Sequence, residues 1–232
     1  MAEADWSFMV GSLTDSQVRR GPSYGYTPPL GGPASTFAMN CIVNTTGAVA
    51  LYYNGSGYAP TPSGKGLKMT GAVKRGVGGG TTGFSAYLFS LAQGTNVGDE
   101  AYLLGLGETG HIVLCKGTIA NGVPDVDPGT NGVLARSTIT IPIDTYAHLW
   151  LEAVVNPGND TLVKARINYA AVDPPSSHNW ETIPGIDDFI DDISGINSGS
   201  PGFSSGYGGF GGFFDEANRQ TYYAVIAATV QP

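Results

Sequence analysis

Three glutamates, three histidines and two groups of aspartates are the residues of this chain whose types could do chemistry. Glu108, Glu152 and Glu181 are candidates for acid–base work, which in glycoside cleavage takes two carboxylates at a fixed separation. Glu152 stands alone in its strand-like run, and the other two are isolated. His111, His148 and His178 have no Ser or Cys at a telling spacing, and a triad assembled in space leaves no mark on sequence order. Asp125, Asp127 and Asn131 form a loose oxygen cluster within the acidic loop Gly117–Gly132. A calcium loop of the EF-hand kind needs a further Asp or Asn at 129 and a Glu near 136. The chain has Gly129 and Arg136 there, so an Asp/Gly/Pro turn is the simpler reading. Asp187, Asp188, Asp191 and Asp192 also invite a metal, but on one surface of a helix they form a solvated face. The expectation is no catalytic residue, no metal site and no cofactor, hence not an enzyme.

Other candidates have bland alternatives too. Gly76–Gly83 (GVGGGTTG) contains the glycine spacing of a phosphate cradle, yet that motif needs a helix after it and Phe84–Leu91 is strand-like. Cys41 and Cys115 both lie in apolar runs. They are expected to be small buried hydrophobes, with a disulfide open if their strands are neighbours. Asn44, Asn54 and Asn159 begin glycosylation-type triplets and are expected to be turn sequences. Tyr52, Tyr53, Tyr58, Tyr207 and Trp180 could act as stacking platforms for sugars, against the alternative of core or interface packing. The glycan-binding residues stay unassigned at this stage.

The elements that must position these residues are strands. Ser85–Ala92, Ala101–Leu106 and His111–Lys116 are apolar runs separated by polar, Gly-containing turns, the pattern of an antiparallel meander. A four-residue loop at Gly107–Gly110 would pair Leu106 with His111 and Leu104 with Val113. Tyr102, Leu104 and Val113 would then share one face, and Leu103, Ile112 and Leu114 the other. Both faces are apolar and both need cover. His148–Val155 and Leu162–Tyr169 alternate most clearly. An odd loop, Asn156–Asp160, brings their apolar sets to one face and sets Glu152 against Lys164 and Trp150 against Arg166. Thr36–Val43 and Ala48–Tyr53 look like a hairpin, and Leu67–Val73, Val133–Ile143 and Thr221–Val230 are further strands. Ile186, Phe189, Ile190 and Ile193 recur at helical spacing, which predicts one short helix with its apolar side docked and its aspartates in solvent. Residues 1–35, with Gly21–Pro33 (GPSYGYTPPLGGP), predict an extended arm lying on its own sandwich or on a neighbouring subunit, ahead of a sandwich domain over 36–232.

Composition narrows the partners. Only 13% of the 232 residues are charged and the net charge is −8, so no nucleic-acid backbone is expected as partner. No apolar run approaches the ~18 residues of a membrane span, and no basic and apolar leader opens the chain.

The order of features carries a resemblance. YLLGLGETGHIVLCKG (Tyr102–Gly117), IPIDTYAHLWLEAVV (Ile141–Val155), Trp180 and the late GYGGFGGFFDEA (Gly206–Ala217) together resemble the concanavalin A-like, laminin-G-like jelly roll, over roughly Thr36 to Val230. The resemblance implies an all-β, two-sheet antiparallel β-sandwich whose members often bind glycans and sometimes hydrolyse them. Glycanases of that fold carry Glu-x-Asp-x-(x)-Glu on one strand, which this chain lacks. The opening MAEADWSFMVGSL and the low-charge, Gly-rich composition are similar to structural proteins of tailed-bacteriophage virions.

Three functions follow as expectations. The first is a non-enzymatic virion component (collar, decoration, tail or fibre base), assembled in the host cytoplasm as a homo-oligomer with other virion proteins. The alternative is a lectin-like module recognising host surface polysaccharide. The third is a glycan hydrolase or lyase. The two-faced hairpin adds the expectation that the arm, a second subunit, or both cover its outer side.

Overall fold

The computed structural model describes residues 6–10, 18–21, 38–43, 47–53, 64–76, 84–96, 98–156, 158, 160–168, 180–192, 200–214 and 219–231. Its elements are β1 (Trp6–Val10), β2 (Val18–Gly21), β3 (Ala38–Val43), β4 (Gly47–Tyr53), β5 (Leu67–Arg75), β6 (Phe84–Ala92), β7 (Glu100–Leu106), β8 (His111–Thr118), β9 (Val133–Thr140), β10 (Ala147–Val155), β11 (Thr161–Asn168), β12 (Glu181–Thr182), β13 (Phe189–Asp191), β14 (Tyr207–Phe214) and β15 (Arg219–Val230). Between β8 and β9 stands a single 3-10 turn, Ile119–Asn121. The strands form two antiparallel sheets. The first has the order β1-β4-β14-β6-β7-β8-β9 and the second β12-β11-β10-β5-β15-β3-β2, with β13 also on β11. Among the described residues no helix is long and apolar enough to cross a membrane.

Between the sheets lies the main core. Alternate residues of β10 and β11 (Leu149, Leu151, Ala153, Val163, Ala165, Ile167) meet Leu88, Leu104, Leu106, Ile112 and Leu114 of the first sheet. The five-residue connection 156–160 sets Glu152 opposite Lys164 and Trp150 opposite Arg166, as the alternation requires. The meander β6–β9 is also present in order. Its central hairpin differs by one residue from expectation: Leu106 pairs with Ile112 and Leu104 with Leu114. The turn therefore holds five residues, with Gly110 at φ +95° closing onto Gly107. One slip exchanges faces. Tyr102, Leu104, Leu106, Ile112 and Leu114 point into the sandwich, while Leu103, Val113 and Cys115 point out.

The outer side is covered by the chain itself. Ile119, Val123 and Val133 pack with Ala50, Tyr87, Phe89, Leu103, Val113 and Cys115 as a second apolar cluster, to which Met9 of β1 adds. The loop expected to be an acidic turn is thus a third layer, and the outer face no longer requires a second subunit. At the start of the chain, β1 pairs with β4 in the first sheet and β2 with β3 in the second.

Two further expectations fail. β3 and β4 are not a hairpin, because β3 pairs with β15 in one sheet and β4 with β14 in the other. The predicted helix is absent: Ile183 and Ile186 bridge across a tight turn at Gly185, and Phe189–Asp191 is a strand on β11. The faces agree only in part: Ile186 is buried, Phe189 packs on the core and Asp187 and Asp188 are exposed as expected, but the next two residues are exchanged. Ile190 is 52% exposed, whereas Asp191 is fully buried. A helical spacing of four apolar residues is weak evidence when a tight turn precedes it and the backbone runs on as a strand.

Candidate functional site

Asp191 is buried because β13 delivers it into a polar network at one end of the core. Lys116 Nζ lies 2.8 Å from Asp191 Oδ2, with 3% and 0% of the two side chains exposed. The same ammonium donates to the carbonyls of Ser200 (2.6 Å) and Pro201 (2.7 Å). The Tyr102 hydroxyl donates to Asp191 and accepts from the amide of Phe203 at 3.1 Å. Burial, reinforced by the Asp191 carboxylate, pushes the Tyr102 phenol far above its ordinary range. The phenol thus stays protonated and serves as a donor. This network anchors the segment 200–203.

Beside that anchor opens a groove of about 690 Å³, lined by Glu100, Lys116, Thr118, Asn121, Pro124, Asn131, Ser200 and Phe213 with Gly117, Gly122 and Gly132. Its volume falls in the range of small-molecule sites. Glu100 and Thr118 face each other across β7 and β8. Asn121 ends the 3-10 turn, and Asn131 sits in a left-handed turn at φ +50°. The loop wall is pinned: Tyr87 Oη donates to the Ile119 carbonyl (2.7 Å), and the Val123 amide to Ser85 Oγ (3.3 Å). Asp125 fixes the far end, accepting from the Thr109 amide at 2.9 Å and Arg136 Nε at 2.7 Å. Burial raises the Asp125 carboxyl, but the Thr109 and Arg136 donors outweigh it and hold it below the usual carboxylate range. At Gly117 an added Cβ would meet nothing within 4 Å, so the strand floor is open. Carboxylate, amides, hydroxyls and one phenyl ring around such a floor suit a ligand with many paired hydroxyls and an apolar ring face.

A second feature lies on the outer face of the other sheet. Trp180 packs edge-on against His148 (4.8 Å between centroids) and Trp150 (5.6 Å). Lys68 Nζ lies 5.4 Å from the Trp150 ring. Around them Lys164 pairs with Glu152 (3.5 Å) and Arg166 with Asp188 (2.6 Å).

The sequence candidates are dispersed. Tyr52 and Tyr207 meet at 5.2 Å beside the outer apolar cluster, and Tyr53 packs with Trp6 towards the core. Tyr58, His178, Cys41's side chain and the asparagines 44, 54 and 159 lie outside what is described. His111 Nδ1 is 2.8 Å from the Ser137 carbonyl, and Glu108, Glu152 and Glu181 stand on separate elements. Cys115 is a buried free thiol. Asp125 is engaged by Thr109 and Arg136, while Asp127 is 92% exposed. Glu100, Asn121 and Ser200, by contrast, had no spacing to mark them, since three separate segments bring them together.

No protein-family model matches the sequence, and none of the curated proteins matches it. Among solved structures, the fold is similar to the carbohydrate-binding module CBM66 from Bacillus subtilis, at 13% identity and TM-score 0.50, over 97% of this chain and 94% of that one. It is similar also to the marine PL-14 alginate lyase from Aplysia kurodai, at 13% identity and TM-score 0.51, over 93% and 90%. The fold is a concanavalin A-like jelly-roll sandwich. At these identities the likeness extends to the fold alone.

Proposed function

We propose that this domain binds glycans, with the groove between the first sheet and the Gly117–Gly132 loop as its site. The observation that carries the reading is the lining of the groove: Glu100, Thr118, Asn121, Asn131 and Ser200 ring an open glycine floor with Phe213. Sugar hydroxyls donate and accept at once, which amide and carboxylate groups match. The similar solved structures, a carbohydrate-binding module and an alginate lyase, act on the same class of molecule. The lectin-like alternative is therefore preferred over the virion component. The latter rests on composition and the opening residues, and its expected subunit contact loses its physical motive once the loop covers the outer face.

Affinity electrophoresis through gels containing a neutral glucan, a mannan or alginate tests this. Retardation by at least one of the neutral polysaccharides, the glucan or the mannan, is expected, and Gly117→Trp, which fills the floor, should abolish it with the unfolding midpoint held. Migration unaffected by both neutral polysaccharides overturns the reading. Release of unsaturated sugar ends from alginate would instead make the chain a lyase.

A further inference from the structure

The face bearing Trp150 is not used by the groove, and its geometry differs. Along the second sheet, Trp150 lies in register with Thr70 and, beyond it, Ala227, while Glu152 lies in register with Lys68 and then Thr229. Thr70 is half-exposed and Ala227 and Thr229 are exposed, so small residues form a trough beside the half-buried indole. β15 pairs with β5 at Ala224 and again over Ala227–Val230, with a register shift between, and over these residues no described strand pairs with its other side. The cations divide into two kinds. Lys164 and Arg166 are held by Glu152 and Asp188, and Lys74 by Asp144 at 2.6 Å. Lys68 has the Trp150 ring as its contact, with no carboxylate within 4.0 Å among the described residues.

We infer that this trough is a second binding surface, for an acidic polysaccharide of the polyuronate class. The inference rests on the glycan-binding reading and extends it to a site on the opposite sheet. The apolar face of a pyranose ring fits against Trp150 over Thr70 and Ala227, with its carboxylate on Lys68. Thr229 then offers a hydroxyl to the same sugar. A polyuronate repeats one carboxylate per sugar along a flat ribbon, which a single ring-held ammonium on a flat face can meet. A nucleic acid, with its dense phosphates, needs several free cations in a row, and Lys164 and Arg166 on this face are already paired.

The experiment is affinity electrophoresis of the whole chain in alginate at low and at raised salt, with a neutral glucan and single-stranded DNA as controls. Retardation by alginate that weakens with salt is expected. Lys68→Gln should reduce it about tenfold and flatten its salt dependence. Ala227→Trp, at an exposed position that fills the trough, should abolish it while leaving the unfolding midpoint in place. Gly117→Trp should leave alginate binding intact. Alginate retardation that is absent, or untouched by both trough variants, overturns the inference. Retardation by DNA that matches alginate overturns it too. Survival of neutral-glycan binding in those cases shows that the groove reading stands without it.

Discussion

Lys116→Met is the most informative single change, because it removes one charge from the buried network and leaves the other. In the wild type Asp191 has both an ammonium at 2.8 Å and the Tyr102 hydroxyl, and the ammonium also satisfies two carbonyls of the 200–201 segment. Methionine fills a similar volume but donates nothing. Asp191 would then be a fully buried carboxylate without its cation, and two carbonyls would lose their donor. Breaking a buried pair from one side costs about 3–5 kcal/mol. For a chain of this size, about 2–4 °C per kcal/mol, the melting midpoint should fall by roughly 6–20 °C. Urea denaturation of Lys116→Met, Asp191→Asn and the double variant forms a thermodynamic cycle. The double variant should be less destabilised than the sum of the singles, since no charge is left uncompensated. A loss below about 1 kcal/mol for Lys116→Met would show that the carboxylate finds water or protonates cheaply, and would refute the closed-network account.

Other expectations concern the loop layer. Asp125 has a carboxyl lowered in the folded state, so its contribution is complete above the unfolded carboxyl's pKa, about 4, and is lost as pH falls through the lower folded value. Urea midpoints against pH should show this acid limb in the wild type and a weaker one in Asp125→Asn, which should also cost about 1–3 kcal/mol at neutral pH. Ile119→Ala empties a fully buried position under the loop and should cost about 2–5 kcal/mol by urea denaturation. The Cys115 thiol, pushed up to about 12 by complete burial, should resist a thiol reagent in the native protein and react only at the rate of unfolding. Prompt labelling would show that the thiol is reached in the native protein, from the groove it borders or under a lifted loop.

What was legible in the sequence was legible because a period carried it. β10 and β11 each keep an apolar residue at every second, inward position, and the odd loop between them fixed every pair from Val155–Thr161 to His148–Asn168. The β7–β8 register slipped because both faces of that hairpin are apolar, so alternation cannot choose between adjacent registers. Only the turn decides, and Gly110 accepts a left-handed backbone that a count of loop residues does not reveal. β14 was hidden for a different reason. In YGGFGGFF, a side chain at Gly211 would crowd Val49 O, Tyr87 Oη and Ala50, and one at Gly208 would crowd Leu67 and Met69. Side chains of the facing sheet at Gly208, and atoms of the two flanking strands at Gly211, have taken the space, leaving glycine where a β-former would advertise the strand. The groove was illegible in principle: its lining comes from β7, β8, the 117–132 loop, the 200 segment and β14, with no spacing in common.

That loop also explains why stability and binding are hard to separate in this molecule. Its inner side supplies Ile119 and Val123 to the outer apolar cluster, and other residues of the same turn, Asn121 and Pro124, line the groove. A substitution that weakens the cover would loosen the wall as well, so lost glycan binding in Ile119→Ala could not be assigned to contact with a ligand. Gly117 escapes this coupling, since it lies on β8 with open space above it and no strained backbone. Filling it changes the groove and leaves the cover in place. On the opposite sheet Ala227 has the same property, exposed beside Trp150 and remote from the loop. The two positions therefore divide the surface into separately testable halves, each modified without disturbing the layer that holds the fold together.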